Sequence, residues 1–269
     1  MSNHESVPSE LIEVTALDQQ FSMKIHGSNE LLSNIIREKK RYSQFDLVIL
    51  QQFLKPGGAF LDAGANIGWY SLYGANIVGP SGKVWAFEPD PTNAELLRQN
   101  SALQKLSQIH VIEKALTDED GRADLLLNSN NHGDHQVRKN SVGNIETVSL
   151  DHWMKSDDFQ QLQLLKIDIQ GSEPQMLAGM KQHLKTHRPA MYIEFSPSHM
   201  YKCGNSPFEI FAFIEKYNYI PYRVHDDRGA DFNQVLEPVS VPQLFQYTAE
   251  LRSVDYGIDL LLVPEGNSL

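Results

Sequence analysis

Between Asn29 and Leu54 the apolar residues Leu31, Leu32, Ile35 and Ile36, and then Phe45, Val48, Ile49 and Phe53, recur at helical spacing. That period predicts two amphipathic helices broken near Tyr42 and Ser43, and Pro56-Gly57-Gly58 stops the second. Upstream, to about residue 28, scattered apolar residues in a polar stretch read as a loose arm, with one hairpin where Phe21, Met23 and Ile25 alternate. Such an arm is placed to cover a site. From Phe60 the rhythm changes to short apolar runs separated by helical stretches. A strand ends at Asp62, a helix runs to about Ile77, and Gly79-Pro80-Ser81-Gly82 turns into a strand from Val84 to Phe87. A helix from Pro91 to about Leu106 and a strand from Ile109 to Glu113 follow, which is the half-unit of a doubly wound parallel sheet.

The alternation continues with insertions. Ala123 to Leu127 reads as an extra strand, residues 128–144 are polar and rich in Gly and Asn, and Ile145 to Val148 leads into Asp151-His152-Trp153-Met154. Leu164 to Ile169 predicts a strand broken by Lys166, followed by Gly171 and a helix from about Pro174 to Leu184. Ala190 to Phe195 is a strand, Phe208 to Tyr217 a helix, and Tyr219 to Val224 and Ile258 to Val263 the last strands. His225-Asp226-Asp227-Arg228 reads as a solvated turn between them. The expected fold class is α/β, a Rossmann-like, seven-stranded and mostly parallel sheet with helices on both faces and an N-terminal helical extension. The expected division is an arm and helix over residues 1–45 and a sheet domain over 46–269.

Composition narrows the setting. At 269 residues and 41% hydrophobic content the chain can bury a full core. A formal charge of −11 argues against nucleic acid, whose affinity comes largely from clustered Lys and Arg, and the short basic run Arg37 to Arg41 reads as a solvated helix face. The single cysteine, Cys203, excludes an internal disulfide and a Cys-rich metal site. No signal-peptide pattern and no apolar run of about 20 residues is present, so a cytoplasmic location without a membrane span is expected. Oligomeric state leaves no mark on the sequence.

The chemistry centres on Phe60 to Ser71, F-L-D-A-G-A-N-I-G-W-Y-S, which reads as strand, tight turn and helix. A dinucleotide site needs G-x-G-x-x-G, but Asn66 and Trp69 occupy the second and third glycine positions, where a pyrophosphate would need space. Glu88, ending the next strand, suits bidentate hydrogen bonding to ribose hydroxyls. Together these predict a nucleoside without phosphates. S-adenosylmethionine meets that description, with Asp62 and the turn amides for its amino-acid end, Glu88 for its ribose, and residues after the third strand, around Ala115, for its adenine.

Four runs in order, Phe60 to Ser71, Val84 to Pro91 (V-W-A-F-E-P-D-P), Ala115 to Gly121 and Leu165 to Glu173 (L-K-I-D-I-Q-G-S-E), resemble the FkbM family of S-adenosylmethionine-dependent methyltransferases across roughly residues 46 to 200. The resemblance implies a class I methyltransferase fold and O-methylation, commonly of a hydroxyl on a sugar or natural product. It carries cofactor contacts onto Asp62, Gly64, Asn66, Gly68 and Glu88. Gln170 departs from a Glu often found at its place in the motif. The arm before Asn29 and the tail after about Tyr201 lie outside the resemblance and would shape the choice of a small-molecule or glycan acceptor.

Methyl transfer to oxygen requires donor and acceptor held in line and a group that takes up the hydroxyl proton. Strand ends beside the switch point supply Asp168, Glu194 and, in the following turn, Glu173. Asn131-His132-Gly133-Asp134-His135 is a second cluster, and the family carries a similar G-D-H run. In one reading His135, oriented by Asp134 or Asp168, is the base or binds the acceptor; in another, His132, His135 and Asp168 hold a metal; in a third, the loop is simply solvated. Lys166 is expected at an edge or paired to an acid, and His199 with Tyr201 and Lys202 on the rim of an acceptor cleft. Two alternatives to methyl transfer stand beside it, a non-catalytic S-adenosylmethionine-binding scaffold and a nicotinamide oxidoreductase.

Overall fold

A computed structural model describes residues 8–225 and 231–267. Strands β1 (Ser9–Ala16) and β2 (Gln19–His26) form an antiparallel hairpin, followed by helices α1 (Leu31–Lys39) and α2 (Gln44–Phe53). The alternating core is β3 (Ala59–Ala63), α3 (Trp69–Val78), β4 (Lys83–Phe87), α4 (Pro91–Leu103) and β5 (Ile109–Ile112). An insertion carries β6 (Ala115–Thr117), β7 (Gly121–Leu126), β8 (Gln136–Lys139), β9 (Ile145–Ser149) and the short helices α5 (Leu150–Trp153) and α6 (Ser156–Phe159). Then come β10 (Leu162–Ile167), α7 (Glu173–Ala178), β11 (Ala190–Phe195), α8 (Pro197–Lys202), α9 (Phe208–Tyr217) and β12 (Tyr219–Val224). The chain closes with α10 (Phe232–Val235), β13 (Leu236–Pro238), α11 (Val241–Leu251) and β14 (Ile258–Pro264).

The main sheet has the order β13-β12-β14-β11-β10-β3-β4-β5. Neighbours from β11 to β5 are parallel, and β14 runs against both β11 and β12. These are the seven expected strands; β13 adds a three-residue eighth strand at one edge. The insertion folds into a separate sheet, β6-β9-β7-β8, where the sequence predicted only an extra strand and a polar loop. The N-terminal arm is also not loose. The side chains of Ile12, Val14, Ala16, Phe21, Met23 and Ile25 alternate inward and join the core of α1 to α4. Of the turn expected at residues 225–228, positions 226–228 lie outside the described residues.

Alternation along the strands decides what faces the site. Phe60, Val84, Leu164, Tyr192 and Leu261 point into one core, while Leu61, Trp85, Leu165, Ile193 and Leu260 point into the other. With a period of two, Asp62, Lys166, Glu194 and Asp259 fall on the first face. Register pairs Lys166 with Asp62 and with Tyr192, and Glu194 with Asp259. Four strands, β3, β10, β11 and β14, thereby collect a polar belt near the carboxyl ends of β3, β10 and β11.

Candidate active site

The turn after β3 is shaped by backbone demands. The amides of Gly64 and Ala65 both donate to the carbonyl of Phe87, each at 3.0 Å. Gly64 sits at φ +78°, and a Cβ there would collide with the carbonyl oxygen of Asp168, so only glycine lets the ends of β3 and β10 approach. Asn66 is also left-handed, at φ 49°. Its amide donates to Glu88 Oε2 at 2.8 Å, and its side-chain Nδ2 donates to the carbonyl of His132 at 2.9 Å. Glu88 Oε1 accepts from the amide of Asp90 at 2.9 Å. Burial pushes the Glu88 carboxyl up to about 7, against the two amide bonds that favour its charge.

A cavity of about 400 Å³ opens over this turn. Gly64, Asn66, Glu88 and Ala115 line it, as do Asp134, His135, Asp168 and Glu194. Asp62 and Gly68 do not. Gly68 begins α3 against Leu97, and Asp62, on the face covered by α3, is fully buried beneath the turn. There Asp62 accepts from Ser71 Oγ at 2.7 Å and stands 3.9 Å from Lys166 Nζ. Burial raises its carboxyl, with Lys166 opposing that effect. Asp62 thus lies beneath the floor of the cavity, with its Oδ1 buried and without a hydrogen-bond partner among the described residues.

At the ends of β10 and β11, Gln170 Nε2 donates to both Asp168 Oδ1, at 2.8 Å, and Glu194 Oε2, at 3.1 Å. The amide found where the family often has Glu thus clamps two carboxylates that a third would repel. Lys166 lies on a central strand, 3.2 Å from Asp168 Oδ2 and with its Nζ 4.6 Å from the Tyr70 ring centroid. Burial opposes its charge, but Asp168 and Asp62 outweigh that and raise it. Burial first, and then the charges of Asp168, Glu173 and Asp259, push Glu194 well above the carboxylate range. Glu173 is fully buried below the turn, accepting from the amides of Ile169 and Gly171, and burial raises it to about 7.

The sequence reading missed Asp46, Tyr42 and Asp259. Asp46 accepts from Ser43, Tyr70 and Tyr192 within the core. A signal existed: Asp46 stands three residues before Ile49 and seven before Phe53, on the apolar stripe of its helix, and a polar residue there is the informative deviation. Tyr42 lines the cavity, its hydroxyl raised by burial and then by Asp168.

The histidine loop is arranged differently from either chemical reading. His135 Nε2 meets Asp90 Oδ2 at 2.9 Å, and Nδ1 accepts the amide of Asn128 at 3.1 Å. Its partner is therefore Asp90, not Asp134 or Asp168, and neither ring nitrogen is left to act as a base. His132 packs edge-on against His26, with centroids 4.4 Å apart, and burial followed by the His26 charge lowers it. Among the described residues no three His, Cys, Asp or Glu side chains converge on a metal-holding point, so His132, His135 and Asp168 are not brought together as ligands. His199 lines the cavity; Tyr201 and Lys202 do not.

A sequence profile of the family described as Methyltransferase FkbM domain matches residues 62–221. The chain belongs to the FkbM methyltransferase family. FkbM relatives include the 2-O-methyltransferase NoeI of Sinorhizobium fredii, 29% identical over 168 residues, which are 55% of this chain and 67% of that protein. The 31-O-demethyl-FK506 methyltransferase FkbM of Streptomyces tacrolimicus is 30% identical over 161 residues, covering 48% and 61%. The hexuronic acid methyltransferase AglP of Haloferax volcanii is 27% identical over 128 residues, covering 46% and 51%. The chain thus spans about half to two thirds of the length of these relatives. Leu31, Leu32, Ile35, Tyr42, Asp255, Tyr256 and Gly257 line the same cavity from outside the segment matched to the FkbM family.

Proposed function

We propose that the protein transfers a methyl group from S-adenosylmethionine to a hydroxyl of a sugar, glycan precursor or hydroxylated natural product. One observation carries this reading. A single cavity joins Glu88 at the end of β4 to the Asp168–Gln170–Glu194 cluster at the ends of β10 and β11. The names of the three relatives, each a methyltransferase and one acting on a hexuronic acid, support the acceptor class.

The residues fit the cofactor. A carboxylate offers about four lone-pair sites, and Glu88 has committed two to amides, leaving two for a pair of ribose hydroxyls. The backbone at Gly64 lines the cavity where the amino-acid end would lie, and Ala115 lines it where the base would lie. When bound, the cofactor supplies an electrophilic methyl on a sulfonium. Asp168, with its oxygens fixed by Gln170 and Lys166 and its side chain 37% exposed, is the group that takes up the acceptor proton. Burial and the charges of Asp168, Glu173 and Asp259 raise Glu194 well above the carboxylate range, which favours its protonated form and makes it the weaker candidate for this role. Lys166 stands beside both the buried Asp62 and the part-exposed Asp168 and offsets their charge.

Incubation with S-adenosylmethionine and a panel of sugars, nucleotide sugars and hydroxylated metabolites, read by methyl mass shift, tests the reading. Asp168→Asn is expected to lose turnover by roughly 10²–10⁴-fold, the usual worth of general base catalysis, while still binding S-adenosylhomocysteine. Full turnover in that variant would move the base elsewhere. Binding of S-adenosylhomocysteine without turnover on any acceptor would favour a scaffold, and calorimetric binding of NAD an oxidoreductase.

A further inference from the structure

Two polar atoms beside the cavity, His199 Nδ1 and Asp134 Oδ1, are buried and have no hydrogen-bond partner among the described residues; the other ring nitrogen of His199, Nε2, is the one that faces Asp134. His199 is only 5% exposed, yet it lines the cavity. Such burial without a partner costs free energy that a native structure ordinarily avoids. The two residues come from elements distant in sequence, α8 and the loop before β8, and they face each other. His199 Nε2 stands 3.9 Å from Asp134 Oδ1. That gap is too long for a direct hydrogen bond and too short to be solvent-separated by more than one atom.

Both sides of the gap are built. Gly171 is at φ +99°, and a Cβ there would collide with the backbone carbonyl of His199, so α8 is seated directly on the turn that follows Asp168. Asp255 holds the other side of α8 through Ser198 Oγ at 3.3 Å and Lys202 Nζ at 2.5 Å. Asp134 is fixed by Asn128 Nδ2, which donates to Oδ2 at 2.9 Å and leaves Oδ1 turned toward His199. An oxygen placed about 2.8 Å from both His199 Nε2 and Asp134 Oδ1, an ordinary hydrogen-bond length, would subtend an angle of about 90° at itself. A hydroxyl oxygen accommodates that angle while donating to the carboxylate and accepting from the ring nitrogen.

We propose that His199 and Asp134 form a recognition pair for a second hydroxyl of the acceptor, one that does not react and that fixes which neighbouring hydroxyl lies against Asp168. This inference rests on the proposed methyl transfer to a polyhydroxylated acceptor and deepens it. Both residues are positioning residues. The pair selects acceptors with at least two hydroxyls within one ring's reach, and a hydroxyl seated there supplies the buried Asp134 Oδ1 with the partner it lacks among the described residues.

The test uses methyl hexopyranosides, methyl hexuronides and their monodeoxy analogues, titrated by calorimetry into protein loaded with S-adenosylhomocysteine. For the best-bound glycoside, removal of one particular hydroxyl is expected to weaken binding to the wild type about tenfold, the worth of one or two hydrogen bonds. His199→Ala and the nearly isosteric Asp134→Asn should each bind the parent glycoside about tenfold more weakly and no longer distinguish it from that deoxy analogue. Affinity for S-adenosylhomocysteine should stay at the wild-type value in both. The proposal is overturned if both variants still discriminate against the deoxy analogue, or if no glycoside of the panel binds the loaded wild type. Should His199→Ala not fold, Asp134→Asn carries the same comparison. Failure of the wild type to bind S-adenosylhomocysteine at all is a separate result and sinks the cofactor reading instead.

Discussion

Glu88 combines two roles that pull in opposite directions. Burial raises it to about 7, while its partners, two amides now and two hydroxyls when ribose is bound, all favour the ionised form. A ligand that prefers the carboxylate binds more tightly as pH rises toward 7 and levels off above it. Affinity for S-adenosylhomocysteine is therefore expected to climb by up to about tenfold per pH unit below 7, and Glu88→Gln should be weaker and flat across the same range, as read by calorimetry. Glu173 has the same raised value without facing the cavity. The native state then holds a proton that the unfolded state releases between about pH 4.5 and 7, so this stabilisation is complete below 4.5 and lost as pH rises through 7. A rise from 4.5 to about 7 corresponds to about 3 kcal/mol. Glu173→Gln keeps an oxygen for the amides of Ile169 and Gly171, so its stability relative to wild type should grow by up to about that amount between pH 5 and pH 8. Urea melts at the two values measure this, and a pH-independent difference would refute the assignment.

Elements rather than single side chains decide the fate of the histidine loop. His135 joins Asp90 at the start of α4 to the amide of Asn128, and the carbonyl of His132 receives the Asn66 side chain. The segment is therefore riveted to the turn after β3 and to the start of α4. A base at His135 would predict a fall in turnover with cofactor binding spared. The geometry predicts the reverse: His135→Ala should weaken S-adenosylhomocysteine binding several-fold and cost about 1–3 kcal/mol of stability, the usual range for a lost buried bond. Calorimetry and thermal melting on one sample separate the two. What was legible in the sequence follows the same division. Strands such as β3, β4, β10 and β11 announced themselves because each is a short apolar run bounded by turn residues. The parallel pairing of β6 with β9 was not, since it joins segments about 30 residues apart with no local signal. Glu88 and Asp168 were legible because they end apolar runs. His199 was only a rim candidate, and Asp46 showed itself only as a polar residue on an apolar helix stripe, because their partners come from distant elements.

At the scale of the whole molecule, the N-terminal hairpin is part of the structure that holds the turn after β3 in place. Asn100 on α4 is fully buried and makes three connections at once. Its Oδ1 accepts the amide of Lys24 at 2.6 Å, and its Nδ2 donates to the carbonyls of Lys24, at 3.0 Å, and of Ile67, at 2.9 Å. The hairpin and the turn after β3 therefore hang from one side chain. His26 adds a bond to Asn93, which itself donates to the His132 carbonyl, and the Phe21 ring lies 6.0 Å from that of Trp69. Six apolar side chains of β1 and β2 are buried in the core that backs α3 and α4. Removing residues 1–27 would expose that core, and burial of a single large apolar side chain is worth about 1.5–3 kcal/mol. Losing the five large ones is comparable to the roughly 5–15 kcal/mol by which a domain is usually stable. The truncated chain is expected to be insoluble or to melt without cooperativity. Asn100→Ala is the finer probe. It leaves the apolar burial intact but strands the backbone groups of Lys24 and the carbonyl of Ile67, and should cost about 2–4 kcal/mol while weakening S-adenosylhomocysteine binding. A truncated chain that melts cooperatively and binds S-adenosylhomocysteine as the full chain does would show the hairpin to be an accessory, and would remove this link between the N-terminus and the site.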